Sequence, residues 1–375
     1  MNFGSVKIVL LIAILYIVAK KKTIYFIHLF KNEILFTLIL VAYSLLTSLL
    51  GDGSALTVPY KHVIWFMECF IVPSFFMFFF KDIFHRLAWE TVVVPVGFFA
   101  SLITFYLIMN PDINFIIRTS VIENAEKVSS QYSIFRGYSI ADGANFSYGI
   151  VQGLILSICL LSIKKNILYV VPIFFLAISI LFNSRIGFSV VLVSMLLILI
   201  FKEYKFSTIV SICIVLYLGT YILFESSFYQ SNEQSIKWGV RIFQDTQRFD
   251  VEDANSNYYN LYRMLVLPSS LAGIFFGEGK TLFASIYQSD IGFINQMFIG
   301  GLVYLIAMLL FLWFIFWRNY KYSTNRIYPF LFLFSLLVVN IKGDALFVPS
   351  GFFRLISFYY VYCIFMVEND TKIAR

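Results

Sequence analysis

Long apolar runs follow one another along almost the whole chain, separated by short polar breaks. They begin near Val6, Ile34, His62, Leu87, Phe146, Ile167, Ile186, Phe206, Ile291, Ile327 and Leu346. Each covers roughly 16 to 25 residues, the length of a membrane-spanning helix, and none shows the two-residue alternation of a membrane β-barrel. Backbone groups in hydrocarbon must pair within their own segment, so helices are what such runs can form. The pattern predicts an all-α polytopic membrane protein of about eleven transmembrane helices, within a range of about ten to twelve because the first and tenth runs are short. Two long polar intervals interrupt it, 110–145 and 225–290. A handful of residues is enough to join two helices, so the second interval needs a reason. It builds a substrate site at one membrane face, or it is an extramembrane loop without chemistry.

Charge fixes the expected orientation. Lys20, Lys21, Lys22 and Lys31 follow the first run, Lys81 and Arg86 the third, and Lys164 and Lys165 the fifth. Lys202 and Lys205 follow the seventh, Arg318, Lys321 and Arg326 the ninth, and Lys372 and Arg375 close the chain. With alternating spans all of these fall on one side, which is then cytoplasmic. The N-terminus and both long intervals are expected outside, together with the turn Asn183-Ser184-Arg185, and the C-terminus inside. Composition agrees: 60% of residues are hydrophobic, 13% are charged, and the mean hydropathy is +0.84. The spans use up the 375 residues, so residues 1–375 are expected to form a single integral membrane domain. The net charge of +7 then reflects cationic loops and does not point to nucleic acid. Cys69, Cys159, Cys213 and Cys363 each lie in an apolar run, which suggests neither disulfides nor zinc. His28, His62 and His85 lack metal-ligand spacing. The apolar run after Lys7 has no small-residue cleavage site and is expected to be a retained span.

Arginines in the expected outer segments are the first candidates for chemistry. Arg185 stands in a tight turn between two apolar runs. It either binds a phosphate or carboxylate in a water-filled cavity or snorkels to lipid headgroups. Arg136, in Arg136-Gly137-Tyr138-Ser139, either clamps a phosphate through its planar fork or pairs with Asp142 and orders the loop. Lys237, Arg241 and Arg248 share a helical face beside the apolar stripe of Ile236, Val240 and Phe243. Such a segment lies along anionic headgroups or covers an anionic lipid-linked substrate. Tyr258, Tyr259 and Tyr262 surround Arg263, and tyrosines suit sugar faces and membrane interfaces alike. Gly277-Glu278-Gly279-Lys280 resembles part of a phosphate loop, but it lacks the full pattern and a preceding strand, which argues against a nucleotide site. Glu278 and Asp290 are candidate bases or solvated loop acids.

Taken together, these features resemble the bacterial O-antigen polymerase family, within the O-antigen polymerase and ligase superfamily. The resemblance rests on Arg136-Gly137 with Asn145 ahead of a span, and on Asn183-Ser184-Arg185-Ile186-Gly187. It rests further on Arg263 ahead of Gly277-Glu278-Gly279, and on Asp290-Ile291-Gly292-Phe293 leading to Gly300-Gly301. It implies a glycosyl transfer at the periplasmic face of the bacterial inner membrane. A growing glycan moves from an undecaprenyl-diphosphate carrier to the non-reducing end of another lipid-linked repeat unit. No cofactor and no metal are expected. Arg185 and Arg263 would stabilise the leaving diphosphate, and Arg136, Arg241, Arg248 and Lys280 would bind substrate. Asp290 would accept the acceptor's proton. Expected partners are the lipid-linked oligosaccharide, membrane lipid and a chain-length regulator protein. Ligases of the superfamily usually carry a histidine in the stretch before the Gly-rich span, where Asp290 stands at the comparable place here; residues 110–375 hold no histidine, which favours polymerase over ligase. A ligase, or a flippase or transporter of lipid-linked sugars, is the alternative.

Overall fold

A computed structural model of the chain describes residues 4–51, 53–80, 83–84, 87–110, 112–113, 116, 147–165, 167–183, 186–201, 262–282, 289 and 291–373. Regular structure among them is helical throughout. In order the helices are α1 Gly4–Ala19, α2 Thr23–Leu29, α3 Lys31–Leu50, α4 Thr57–Phe66 and α5 Val72–Phe79. There follow α6 Trp89–Met109, α7 Ser147–Ser162, α8 Val170–Asn183 and α9 Gly187–Ile200. The last four are α10 Leu271–Phe276, α11 Gly292–Tyr322, α12 Ile327–Asn340 and α13 Gly351–Ile373. A π-helical turn, Met67–Ile71, joins α4 to α5. Pro73 has no N–H to offer the carbonyl four residues back, which is that of Cys69, and this opens the ladder at that turn.

By length and composition, Lys31–Leu50, Thr57–Phe79, Trp89–Met109 and Gly292–Tyr322 can each cross a membrane; among the described residues, shorter apolar helical stretches of 10–17 residues are Lys7–Ala19, Ser147–Ser162, Val170–Asn183, Gly187–Ile200, Ile327–Asn340 and Gly351–Val367. Every predicted run that falls on described residues carries a helix, and the run starting near Phe206 lies outside them. The final helix starts at Gly351 and not near Leu346, because Leu346 and Phe347 are buried in an irregular connector.

Burial along α3 is inverted relative to a water-soluble helix. Leu35, Leu38, Leu46 and Leu49 are exposed, while Glu33, Thr37, Ser44, Thr47 and Ser48 are buried. The small hydroxyls bond back to their own helix, as Thr37 does to the Glu33 carbonyl at 2.7 Å and Ser48 to that of Ser44 at 2.6 Å. An apolar face turned outward, with polar groups satisfied inside, is stable where the surroundings are hydrocarbon. Together with the apolar helices this marks a multi-pass membrane protein.

The chain packs as two compact units, Met1–Gly4 with Leu87–Phe249, and Ser5–Arg86 with Asp250–Arg375. In the first, α7 is buried along nearly its whole length and packs against α6, α8 and α9. Gly153 on α7 and Gly187 on α9 let the two backbones approach closely: a Cβ on Gly153 would lie 2.3 Å from the Gly187 carbonyl oxygen. Glu90 and Lys165 pair at 2.8 Å at an end of this unit.

In the second unit, α11 packs against α3, α12 and α13. Its core is aromatic. Phe347 stacks on Phe311 with centroids 4.9 Å apart and meets the edge of Trp65 at 4.9 Å, and Phe353 lies at 5.5 Å. Two ion pairs lie among these helices. Arg318 and the Tyr360 hydroxyl both bond Glu33 Oε1, and Arg354 Nη2 bonds Glu68 Oε2 at 2.7 Å.

Candidate functional site

The glycines of the two sequence motifs meet. Gly301 has φ 67° and ψ −166° inside α11, so the helix breaks there. Beside the break, the Phe298 carbonyl accepts the backbone N–H of Glu278 at 2.9 Å and of Lys280 at 3.3 Å, both from outside its own helix. The Gly300 carbonyl accepts the Tyr43 hydroxyl at 3.1 Å. A Cβ on Gly277 would fall 2.5 Å from the Gly300 Cα, and one on Gly301 would fall 2.4 Å from the Phe275 carbonyl. On its other side the motif touches the end of α3, where a Cβ on Gly51 would lie 2.2 Å from the Glu278 carbonyl oxygen. Gly277-Glu278-Gly279-Lys280 is therefore a backbone clasp between α3 and the broken α11. Glu278 takes part in it: it accepts from the Ser269 N–H at 3.3 Å and pairs with Lys280 at 3.1 Å.

Next to the clasp is a small cavity whose largely apolar wall carries several polar side chains. Thr281 and Ile299, each adjacent in sequence to a clasp residue, line it together with Lys61, His62, Asn295, Gln296, Tyr304 and Asp344. It offers about 20 Å³ to the centre of a water-sized group, room for a water molecule or a hydroxyl. His62 fixes one wall. Its Nδ1–H donates to the Phe347 carbonyl at 3.2 Å, so in the neutral ring Nε2 is the acceptor, and the Tyr304 hydroxyl donates to it.

The connector between α12 and α13 supplies the acid. Phe347, at φ 53°, holds an uncommon left-handed backbone. Its buried ring, anchored between Trp65 and Phe311, keeps this conformation in place. Asn340 and Gln296 exchange side-chain hydrogen bonds at 3.1 Å, and Asn340 Oδ1 also accepts the Ala345 N–H at 3.0 Å. Gln296 Nε2 then donates to Asp344 Oδ1 at 3.0 Å. Burial pushes the Asp344 carboxyl up to about 6, against the opposing pull of the Gln296 hydrogen bond and the Lys61 charge. Asn295 is fully buried; its Nδ2 donates to the Ser289 carbonyl at 2.8 Å, and its Oδ1 has no partner among the described residues.

Of the residues singled out in the sequence, Asp290, Arg185, Arg136, Arg241 and Arg248 lie outside the described residues. Arg263 is exposed near the start of 262–282 and does not line the cavity. Lys280 is half-buried in the clasp, paired with Glu278. Asn183, just ahead of the Ser184-Arg185 turn, is buried, with Nδ2 bonded to the Ser179 carbonyl at 2.7 Å. The sequence reading missed Lys61, Asn295, Gln296 and Asp344, and weighed His62 only as a metal ligand. The available signals were Lys61-His62 at the head of an apolar run and an acid in a short connector between two others. Among the described residues, no group of histidines, cysteines and acids could hold a metal ion.

No protein-family model, no curated protein and no solved structure matches this chain.

Proposed function

We propose that this protein polymerises lipid-linked oligosaccharide repeat units at the outer face of a bacterial inner membrane. The growing glycan leaves its polyprenyl diphosphate and joins the non-reducing end of another lipid-linked repeat. The observation that carries the reading is the clasp with its cavity. Two glycine motifs on which the resemblance rests, Gly277-Glu278-Gly279 and Gly300-Gly301, close beside a small chamber that holds Lys61, His62, Asn295, Gln296 and Asp344. By the cationic-loop argument that chamber opens on the outer side, where lipid-linked repeats are polymerised. Arg185, Arg263 and Arg136 take the diphosphate, Arg241, Arg248 and Lys280 gather the anionic carrier, a carboxylate takes the acceptor proton, and Asp290 is the one that the resemblance offers.

One observation favours a second reading, a transporter of lipid-linked sugars. Glu33 with Arg318, and Glu68 with Arg354, put charge inside the apolar bundle, where transport pathways keep it. The carrier-linked glycans of cells lacking this protein separate the readings. Single repeats accumulating on the outer leaflet support the polymerase. Single repeats facing the cytoplasm support the transporter, and full-length chains left on the carrier support a ligase.

A further inference from the structure

We propose that the cavity between Lys61, Asn295 and Asp344 receives the hydroxyl of the acceptor sugar, and that Asp344, in place of Asp290, is the base that deprotonates it. This rests on the polymerase reading. Two features of the cavity fit a hydroxyl. Its volume admits one such group. Lys61 supplies a donor for the oxygen. Gln296 Nε2 holds the Asp344 carboxyl beside the cavity through its Oδ1 at 3.0 Å. The titratable groups that line the cavity with it are Lys61 and His62 on α4 and Tyr304 on α11. His62 and Tyr304 already bond each other, and His62 Nδ1 is committed to the Phe347 carbonyl.

In the transfer, the acceptor O–H proton passes to Asp344 as the acceptor oxygen bonds the donor's anomeric carbon. The bond from that carbon to the diphosphate breaks, and polyprenyl diphosphate leaves with the electron pair. Asp344 returns the proton to water before the next turn.

A base works ionised. With its carboxyl near 6, Asp344 loses activity as pH falls through about 6, so the rate has an acid limb there. Lys61 favours the ionised form, so Lys61→Met moves the limb to higher pH. The test uses the full-length protein in liposomes, with polyprenyl-diphosphate-linked single repeats extracted from cells that lack it, and measures chain extension from pH 4.5 to 8. We expect Asp344→Asn to lose roughly 10²–10⁴-fold in rate, the usual worth of a general base, together with the acid limb. Asp344→Asn at the wild-type rate, or with the acid limb unchanged, overturns the proposal. If that variant does not fold, Lys61→Met decides: an upward shift of the limb supports Asp344, and an unmoved limb overturns it. A wild-type protein that extends no chains at any pH removes the polymerase reading itself, an outcome distinct from either.

Discussion

Phe347 shows how a single residue sets up the site. A phenylalanine at positive φ is costly, and this one is retained because three aromatic neighbours hold its ring and His62 bonds its carbonyl. Removing the ring leaves a cavity in the core and frees the connector that carries Asp344. Phe347→Ala should cost about 3–5 kcal/mol, read as a fall in thermal unfolding midpoint in detergent. A variant as stable as wild type would show that the connector is held by other means. The arginines belong to the same scale. If Arg185 and Arg263 grip a diphosphate, replacing either with Lys keeps the charge and loses the two-pronged donor. Chain extension should then fall by about tenfold or more with the protein still inserted, and wild-type polymer levels in Arg185→Ala would remove that role.

At the scale of elements, the clasp explains why so many glycines stand where they do. Gly53 and Gly301 both have positive φ, but a Cβ on Gly53 would meet only a leucine methyl at 3.8 Å, whereas one on Gly301 would strike the Phe275 backbone at 2.4 Å. Gly53→Ala should therefore cost only the left-handed penalty of about 1–2 kcal/mol. Gly301→Ala should abolish the folded protein, as judged by the yield of monodisperse protein in detergent. Equal yields for the two would contradict the clasp. The helices themselves were legible in the sequence, because a long unbroken apolar run leaves the backbone one way to satisfy itself. The glycine motifs were legible as unusual, yet their role was not, since a phosphate loop and a helix clasp use glycine for the same freedom at positive φ. The cavity was not legible at all. His62 and Tyr304 are 242 residues apart and Gln296 and Asp344 are 48 apart, and periodicity along the chain does not register such meetings.

For the whole molecule, the account depends on orientation. The clasp and cavity must face the side where lipid-linked repeats are polymerised, and the cationic connections must face the cytoplasm. With Cys69, Cys159, Cys213 and Cys363 replaced, a single cysteine at Ser231 should react with an impermeant reagent in intact spheroplasts, and one at Thr371 only after lysis. Equal labelling of both before lysis would contradict the orientation. The buried ion pairs Glu33–Arg318 and Glu68–Arg354 fit a rigid bundle as well as one that transports. The most direct measurement is therefore the product itself. The purified full-length protein is placed in liposomes with polyprenyl-diphosphate-linked single repeats, and the carrier-linked glycans are sized after incubation. A polymerase yields a ladder of chains that grow by whole repeats while free polyprenyl diphosphate accumulates. Repeats that remain single, whether or not they change leaflet, would contradict the account.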